Sequence, residues 1–366
     1  MVAGKDIYRI SVPLAAGVYA AAILFSRMDN AFGWRCIITG TIPVVISSLL
    51  LAVLRSEGSP TSRNPLLWEA VFFLTGFLCY ATSHAVIRHA GVAQCIGGAS
   101  ERIAFIIDSI PFHDKENNAL AKALVLGDRS GLSRATASDF RKAGAAHLLA
   151  LSGMHLGIIY LAINKVLLIF GNSIPARKIR NITTICLCGL YTLLCGAGAS
   201  LMRAWLFIAL NEVAKFLDRP QPPRQIFCSA LTLHLIFKPR SIGDIGFQLS
   251  YLAMVGIVFV WPWMREWYKA GGIGRKIWEA ASLSICCQMF TAPLTLIYFG
   301  TFPRYFLITN LVASPLMGVV MGCGVVALCI AAAAGGGACG WVFSACEAPF
   351  EALRTLLGLI AGMDSA

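Results

Sequence analysis

Apolar windows of roughly 20 residues recur along nearly the whole chain, the length at which a helix crosses a bilayer. Candidate spans fall at 7–25, 36–54, 65–82, 145–170, 181–197, 199–217, 225–237, 246–264, 280–299, 306–333 and 340–362. The run at 225–237 is short and reads either as extending further or as re-entrant, with its ends covered by protein or water. The run at 306–333 is long, and Pro315 is expected to break or kink it. Residues 83–144 are the only sizeable non-membrane stretch. Within them, 101–112 places Ile103, Ile106, Ile107 and Ile110 on one helical face, a pattern that suits a helix lying on a membrane surface. Residues 117–126 are rich in Ala and Leu and prone to helix. Gly127 and Gly131 bracket a turn, and Ser133 precedes a further helical stretch to about Ala143. The fold class expected is all-α: a polytopic transmembrane helical bundle of about 10 or 11 spans with an amphipathic surface helix.

Composition supports that class. The 366 residues are 57% hydrophobic and only 13% charged, whereas a soluble globular domain is nearer a quarter charged. A β-barrel would show alternating segments of about ten residues, and none dominate. The net charge of +12 has two readings: basic cytoplasmic loops, which are the norm in membrane proteins, or attraction for a polyanion such as DNA. Composition alone favours the first. Short-loop cations such as Lys5, Arg55, Arg177, Lys178, Arg180 and Arg219 place the N-terminus inside. With eleven spans the C-terminus then lies outside. The 13 cysteines sit mostly within apolar runs, with no CxxC pair and no Cys/His spacing suited to zinc, so most read as small packing residues. The first apolar run lacks a convincing cleavage site and reads as an anchor helix.

Polar residues inside or beside apolar runs are the candidate chemistry, because charged groups are expensive next to lipid. Asp128-Arg129 precedes the fourth span and reads as a surface ion pair or turn cap, or as an entrance lock beside a pore. His147 and His155, spaced i and i+8, share one face of a single expected helix, with Ser152 on the adjoining face. This stripe either lines an aqueous cavity or satisfies itself against neighbouring helices. A Ser152–His155 intramembrane hydrolase is disfavoured by the flanking residues, since no Gly precedes Ser152 by two. Arg203 follows Gly196-Ala197-Gly198-Ala199-Ser200 and either snorkels to the interface or meets phosphate oxygens. Asp244 is placed to begin a span, Gln248 then lies within membrane depth, and Asn310 precedes Pro315. Gln288 lies within the ninth span.

Four of these blocks together resemble the competence domain of the ComEC family. They are ALVLGDRSGLS (123–133) with HLLALSGMHLG (147–157), GAGASLMRAWLF (196–207), GDIGFQLSYLAMVG (243–256) and APLTLIYFGTFPRYFLITNLVASPLMG (292–318). The resemblance implies passage of single-stranded DNA across the bacterial inner membrane during natural transformation. It implies three regions: anchor helices over 1–100, an external helical segment over 101–144 and a channel bundle over 145–366. Candidate DNA-binding or pore-lining residues are then Asp128, Arg129, His147, Ser152, His155, Arg203, Asp244, Gln248 and Asn310. Arg141, Lys142 and Arg304 are further candidate cations, and Trp205, Phe247, Phe302 and Tyr305 candidate stacking aromatics. The partners implied are single-stranded DNA, an external DNA receptor, a cytoplasmic ATP-driven motor, a separate nuclease, the lipid bilayer and further copies of the chain.

The sequence departs from the family pattern at two places. Residues 83–100 leave no room for an OB-like external domain, and the sequence stops at Ala366 without a metallo-β-lactamase-like metal cluster. No enzymatic activity, cofactor or metal is therefore expected. Two rival readings stay open: a small-solute permease of the same fold, and a non-conducting scaffold or remnant.

Overall fold

The computed structural model describes residues 6–27, 65–82, 90–269, 271–300, 302, 304–334 and 340–363. The expected span at 36–54 lies outside the described residues. Among the described residues the regular structure is helical throughout, with no strand, so the all-α class holds. In chain order the helices are α1 (Asp6–Arg27), α2 (Pro65–Thr82), α3 (Ala90–Asp108), α4 (Lys115–Val125) and α5 (Arg134–Lys142). They continue with α6 (Ala146–Leu149), α7 (Gly153–Leu167), α8 (Ile174–Leu194), α9 (Ala199–Phe216) and α10 (Pro223–Phe237). The last are α11 (Ile245–Val255), which runs through a π-helical turn at Gly256–Val260 into α12 (Trp261–Met264), then α13 (Ile273–Phe299), α14 (Phe306–Ala334) and α15 (Gly340–Met363).

Four stretches are long and apolar enough to cross a membrane: Gly153–Phe170, Ile245–Trp267, Ile273–Phe299 and Phe306–Ala333. The 29 residues of α14 extend about 43 Å at the helical rise, more than the roughly 30 Å of a hydrocarbon core. Pro315 does not break this helix, which continues unbroken on both sides of it. The short run at 225–237 does extend, by two residues, to become α10.

The helices form two compact units, one of Met1–His89 with Leu206–Tyr251 and one of Ala90–Trp205 with Leu252–Ala366. In the first, α1 and α2 approach backbone to backbone. A Cβ on Gly17 would run into the Phe73 carbonyl, and one on Gly76 into that of Leu14. Such small-residue contacts hold helices together where water supplies no driving force. Ser11 Oγ donates to the Cys228 carbonyl at 3.3 Å, tying α1 to α10. Phe247, Tyr251 and His234 form an aromatic cluster beside it.

In the second unit the core gathers Ile107, Leu120, Leu124, Phe140, Leu148, Met317, Phe343 and Phe350. The amphipathic face expected on α3 exists, but it serves this core. Ile107 is buried, and Ile103 and Ile106 pack against the same cluster, while Phe105 points outward. Helix α15 contributes Phe343, Phe350, Leu353 and Leu357 from one stripe. That stripe also carries Glu347, only 2% exposed. Its carboxylate accepts from the backbone N–H groups of His113 (2.9 Å) and Asp114 (3.0 Å) and from Asn117 Nδ2 (2.8 Å), all at the start of α4. Orphan N–H groups at a helix N-terminus need such acceptors, and a carboxylate there also suits the helix dipole. Arg354, two turns further along α15, bonds Asp114 and the Asn117 carbonyl oxygen, which closes the network.

Candidate functional site

The single helix expected over 145–170 is interrupted. Helix α6 ends at Leu149, Ala150 and Ser152 have extended backbone, and α7 begins at Gly153. Two local features explain the break. Ser152 is the N-cap of α7, its Oγ accepting from Met154 N–H at 3.3 Å, and His155 Nδ1 accepts in return from Ser152 N–H at 3.3 Å. This is a capping box with histidine where Glu or Gln is usual. At the other edge, Arg129 Nε donates to the Leu149 carbonyl at 3.0 Å, taking an acceptor that the end of α6 leaves without a helical partner. His147 and His155 therefore do not share one helix face. His147 is exposed, with Nδ1 3.2 Å from the Gly144 carbonyl, while His155 is fully buried.

The break brings the sequence blocks together. Gly127 sits at φ +82, and a Cβ there would meet Leu151 Cδ1 at 2.6 Å, so the 127–131 turn lies against the residues between α6 and α7. Asp128 closes that turn by accepting from Ser130 N–H at 2.9 Å. The Ser130 N–H holds the Asp128 carboxyl below the usual carboxylate range. Asp128 and Arg129 thus do not pair with each other; one shapes the turn and the other fixes the break. Arg203, 7% exposed, lies against the start of α7: a Cβ on Gly153 would meet its Nη2 at 3.4 Å. On α14, Thr309 Oγ1 donates to the Ala143 carbonyl at 2.6 Å, just before α6. Its neighbour Asn310 is half-buried, and its Oδ1 has no hydrogen-bond partner among the described residues.

Of the residues singled out from sequence, the second unit thus contains Asp128, Arg129, His147, Ser152, His155, Arg203 and Asn310. Asp244 and Gln248 belong to the first. Asp244 is exposed immediately before α11, and Gln248 Nε2 donates to the Ile242 carbonyl at 2.8 Å, locking a local turn. Two of the candidate aromatics are committed to packing. Trp205 Nε1 donates to the Ile185 carbonyl at 3.1 Å with its indole against Gly189, and Phe247 is buried in the aromatic cluster. Phe302, 46% exposed, remains accessible, as does Arg304.

Sequence reasoning missed Tyr191, whose OH donates to the Val125 carbonyl at 2.7 Å and anchors α8 to the end of α4 just before the 127–131 turn. Thr309 was missed as well. Neither carries a motif of its own; a lone polar atom in an apolar helix was the available signal. Glu347 and Arg354 were legible in principle as polar residues seven apart.

A cavity of about 580 Å³ in the second unit is lined by Asp114, Glu116, Asp139, Glu351 and Arg354. Its excess of carboxylates makes it unsuited to a phosphate backbone. Among the described residues no group of three His, Cys, Asp or Glu side chains is arranged to hold a metal ion.

A family model described as Competence protein matches residues 124–366. The chain is similar to ComE operon protein 3 of Bacillus subtilis, 23% identical over 187 residues that make up 51% of this chain and 23% of that protein. It is 24% identical to Uncharacterized protein YcaI of Escherichia coli over 206 residues, 55% of this chain and 27% of that one. With Recombination protein 2 of Haemophilus influenzae it shares 24% identity over 259 residues, 67% of this chain and 32% of the relative. The chain thus spans between about a quarter and a third of the length of these relatives. No solved structure matches it. The match covers the 127–131 turn, the α6–α7 break, Arg203 and the long apolar helices that make this a membrane protein, and the chain belongs to the Competence protein family, the ComEC family its four blocks resemble.

Proposed function

We propose that this chain acts in DNA uptake as a channel subunit of the bacterial inner membrane, passing single-stranded DNA into the cytoplasm during natural transformation. Family membership supports the role in uptake. The observation that carries the finer reading is Arg203, a buried guanidinium against the first residue of α7. A helix N-terminus favours anions, and arginine is the side chain best suited to phosphate oxygens. Exposed Arg304 and Phe302 suit a strand approaching the bundle, since single strands are held by cations and stacking aromatics.

In this reading the chain catalyses nothing and conducts passively, because its sequence holds no GxxxxGK[ST] loop for a nucleotide phosphate. A cytoplasmic ATP-driven motor then supplies the work. An external receptor delivers DNA, and a separate nuclease removes the complementary strand.

The test is uptake of labelled DNA in a deletion strain complemented with the wild-type chain or with Arg203→Ala, with membrane levels checked. Wild type is expected to restore uptake. Arg203→Ala is expected to lower it at least about tenfold, the loss of one charge-assisted contact, at unchanged protein level. Loss of the variant from the membrane would make Arg203 a structural lock instead.

A further inference from the structure

The capping box at the start of α7 fixes where the proton of His155 sits. A backbone N–H can only donate, so Nδ1, 3.3 Å from Ser152 N–H, is an acceptor and carries no proton. Ser152 Oγ, 3.1 Å from the same nitrogen, fits that assignment. The neutral ring therefore carries its proton on Nε2. That nitrogen is buried, the whole residue is 0% exposed, and Nε2 has no hydrogen-bond partner among the described residues. Leaving a buried donor unpaired is destabilising. A simpler cap was open to the sequence, since Glu at this position would close the box with acceptors alone and leave no orphan donor.

The surroundings indicate what the donor is for. His155 lies in the first turn of α7, a 15-residue helix whose N-terminal end favours negative charge. Arg203 lies against Gly153, two residues before it. Two donor side chains, on α7 and α9, thus lie at this helix end: an imidazole N–H and a guanidinium.

We infer that His155 Nε2–H, with Arg203, forms an anion site for one phosphodiester group at the N-terminus of α7. This rests on the reading of the chain as a DNA channel and assigns one binding station within it. Because Nδ1 is held by Ser152, the imidazole is locked as a donor, and the station recognises the phosphate rather than a base. Each phosphate of a strand can then occupy it in turn, independent of sequence.

The substitutions that test this keep the cap. His155→Gln can accept from Ser152 N–H through its carbonyl oxygen and still offer an amide N–H. His155→Glu has the same shape and closes the box equally well, but offers only acceptors and a negative charge. The full chain in nanodiscs is titrated with a fluorescent 20-nucleotide oligothymidylate and with its uncharged methylphosphonate counterpart, at fixed salt. Thermal stability of each variant is measured alongside, and Arg203→Met serves as a second variant that removes the other donor but keeps a long side chain.

His155→Gln is expected to lose less than about threefold in affinity, while His155→Glu and Arg203→Met lose about tenfold or more. The methylphosphonate strand is expected to be insensitive to all three. Equal affinities for His155→Gln and His155→Glu, at equal stability, would overturn the station while leaving the channel reading standing. No binding of the phosphodiester strand by wild type would overturn the channel reading itself. Raising the phosphatidylglycerol content supplies the other source of this chemistry. If that lipid displaces the strand from wild type but not from His155→Glu, the site belongs to a lipid headgroup and the DNA assignment is overturned.

Discussion

Gly127 shows what a single residue decides here. Its φ of +82 lies in the left-handed region, which costs an L-residue roughly 1–2 kcal/mol, and a Cβ would also meet Leu151 Cδ1 at 2.6 Å. The turn was legible from the sequence, because Gly127 and Gly131 flank the polar Asp128-Arg129-Ser130. The contact with Leu151 was not, since the two residues are brought together only by the break between α6 and α7. Gly127→Ala is therefore expected to lower the thermal midpoint by several degrees, about 1–2 kcal/mol. Adding Leu151→Ala removes the steric part and leaves the backbone part. The pair should thus be less destabilised than the sum of the two single changes, which unfolding of all three variants in one detergent measures. An unchanged midpoint in Gly127→Ala would sink the close approach of this turn to residues 150–152.

At the scale of elements, hydropathy located the helices well and their interruptions poorly. The run at 145–170 reads as one helix because its apolar character is the same on both sides of Ser152. The break lies in hydrogen bonding, through a histidine-closed capping box and an arginine twenty residues upstream in sequence. Neither changes the hydrophobic pattern. At Pro315, expected to break or kink its helix, there is no break: α14 continues through a residue that costs it one backbone bond. If Ser152 is a cap, its role is to accept from Met154 N–H, and any residue that accepts there will serve. Ser152→Ala is expected to cost about 1 kcal/mol, and Ser152→Asp to restore most of it. Uptake and thermal stability should move together across the two variants. If Ser152→Ala keeps full stability but loses uptake, the hydroxyl meets the transported strand and the capping role fails.

For the molecule as a whole, composition and apolar runs sufficed for the class, an all-α membrane protein, but not for how each helix is used. Hydropathy treats 340–362 as one more span, yet α15 turns a buried carboxylate toward the start of α4 and helps enclose the acidic cavity. The signal was present as Glu347 and Arg354, seven residues apart and therefore on one helical face, but averaging over an apolar window hides it. This network also gives the second unit a predictable response to acid. The hydrogen bond from Arg354, followed by the Glu116 N–H, holds the Asp114 carboxyl below its usual range. A carboxylate lowered on folding contributes stability that is fully present above its unfolded value, about 4, and is lost as pH falls through the lower folded value. The Asp114 side chain is 45% exposed and that of Arg354 29%, so solvent screening limits the contribution to about 1 kcal/mol or less. Asp114→Asn removes the titration but keeps an oxygen that can accept from Glu116 N–H. Its thermal midpoint should lie below that of wild type at pH 6–7, and the gap should narrow below about pH 4 as the wild-type carboxyl protonates. Midpoints measured from pH 3 to pH 7 at one ionic strength decide it. A gap that stays constant, or widens toward acid, would mean that the ion pair does not hold the start of α4 to α15.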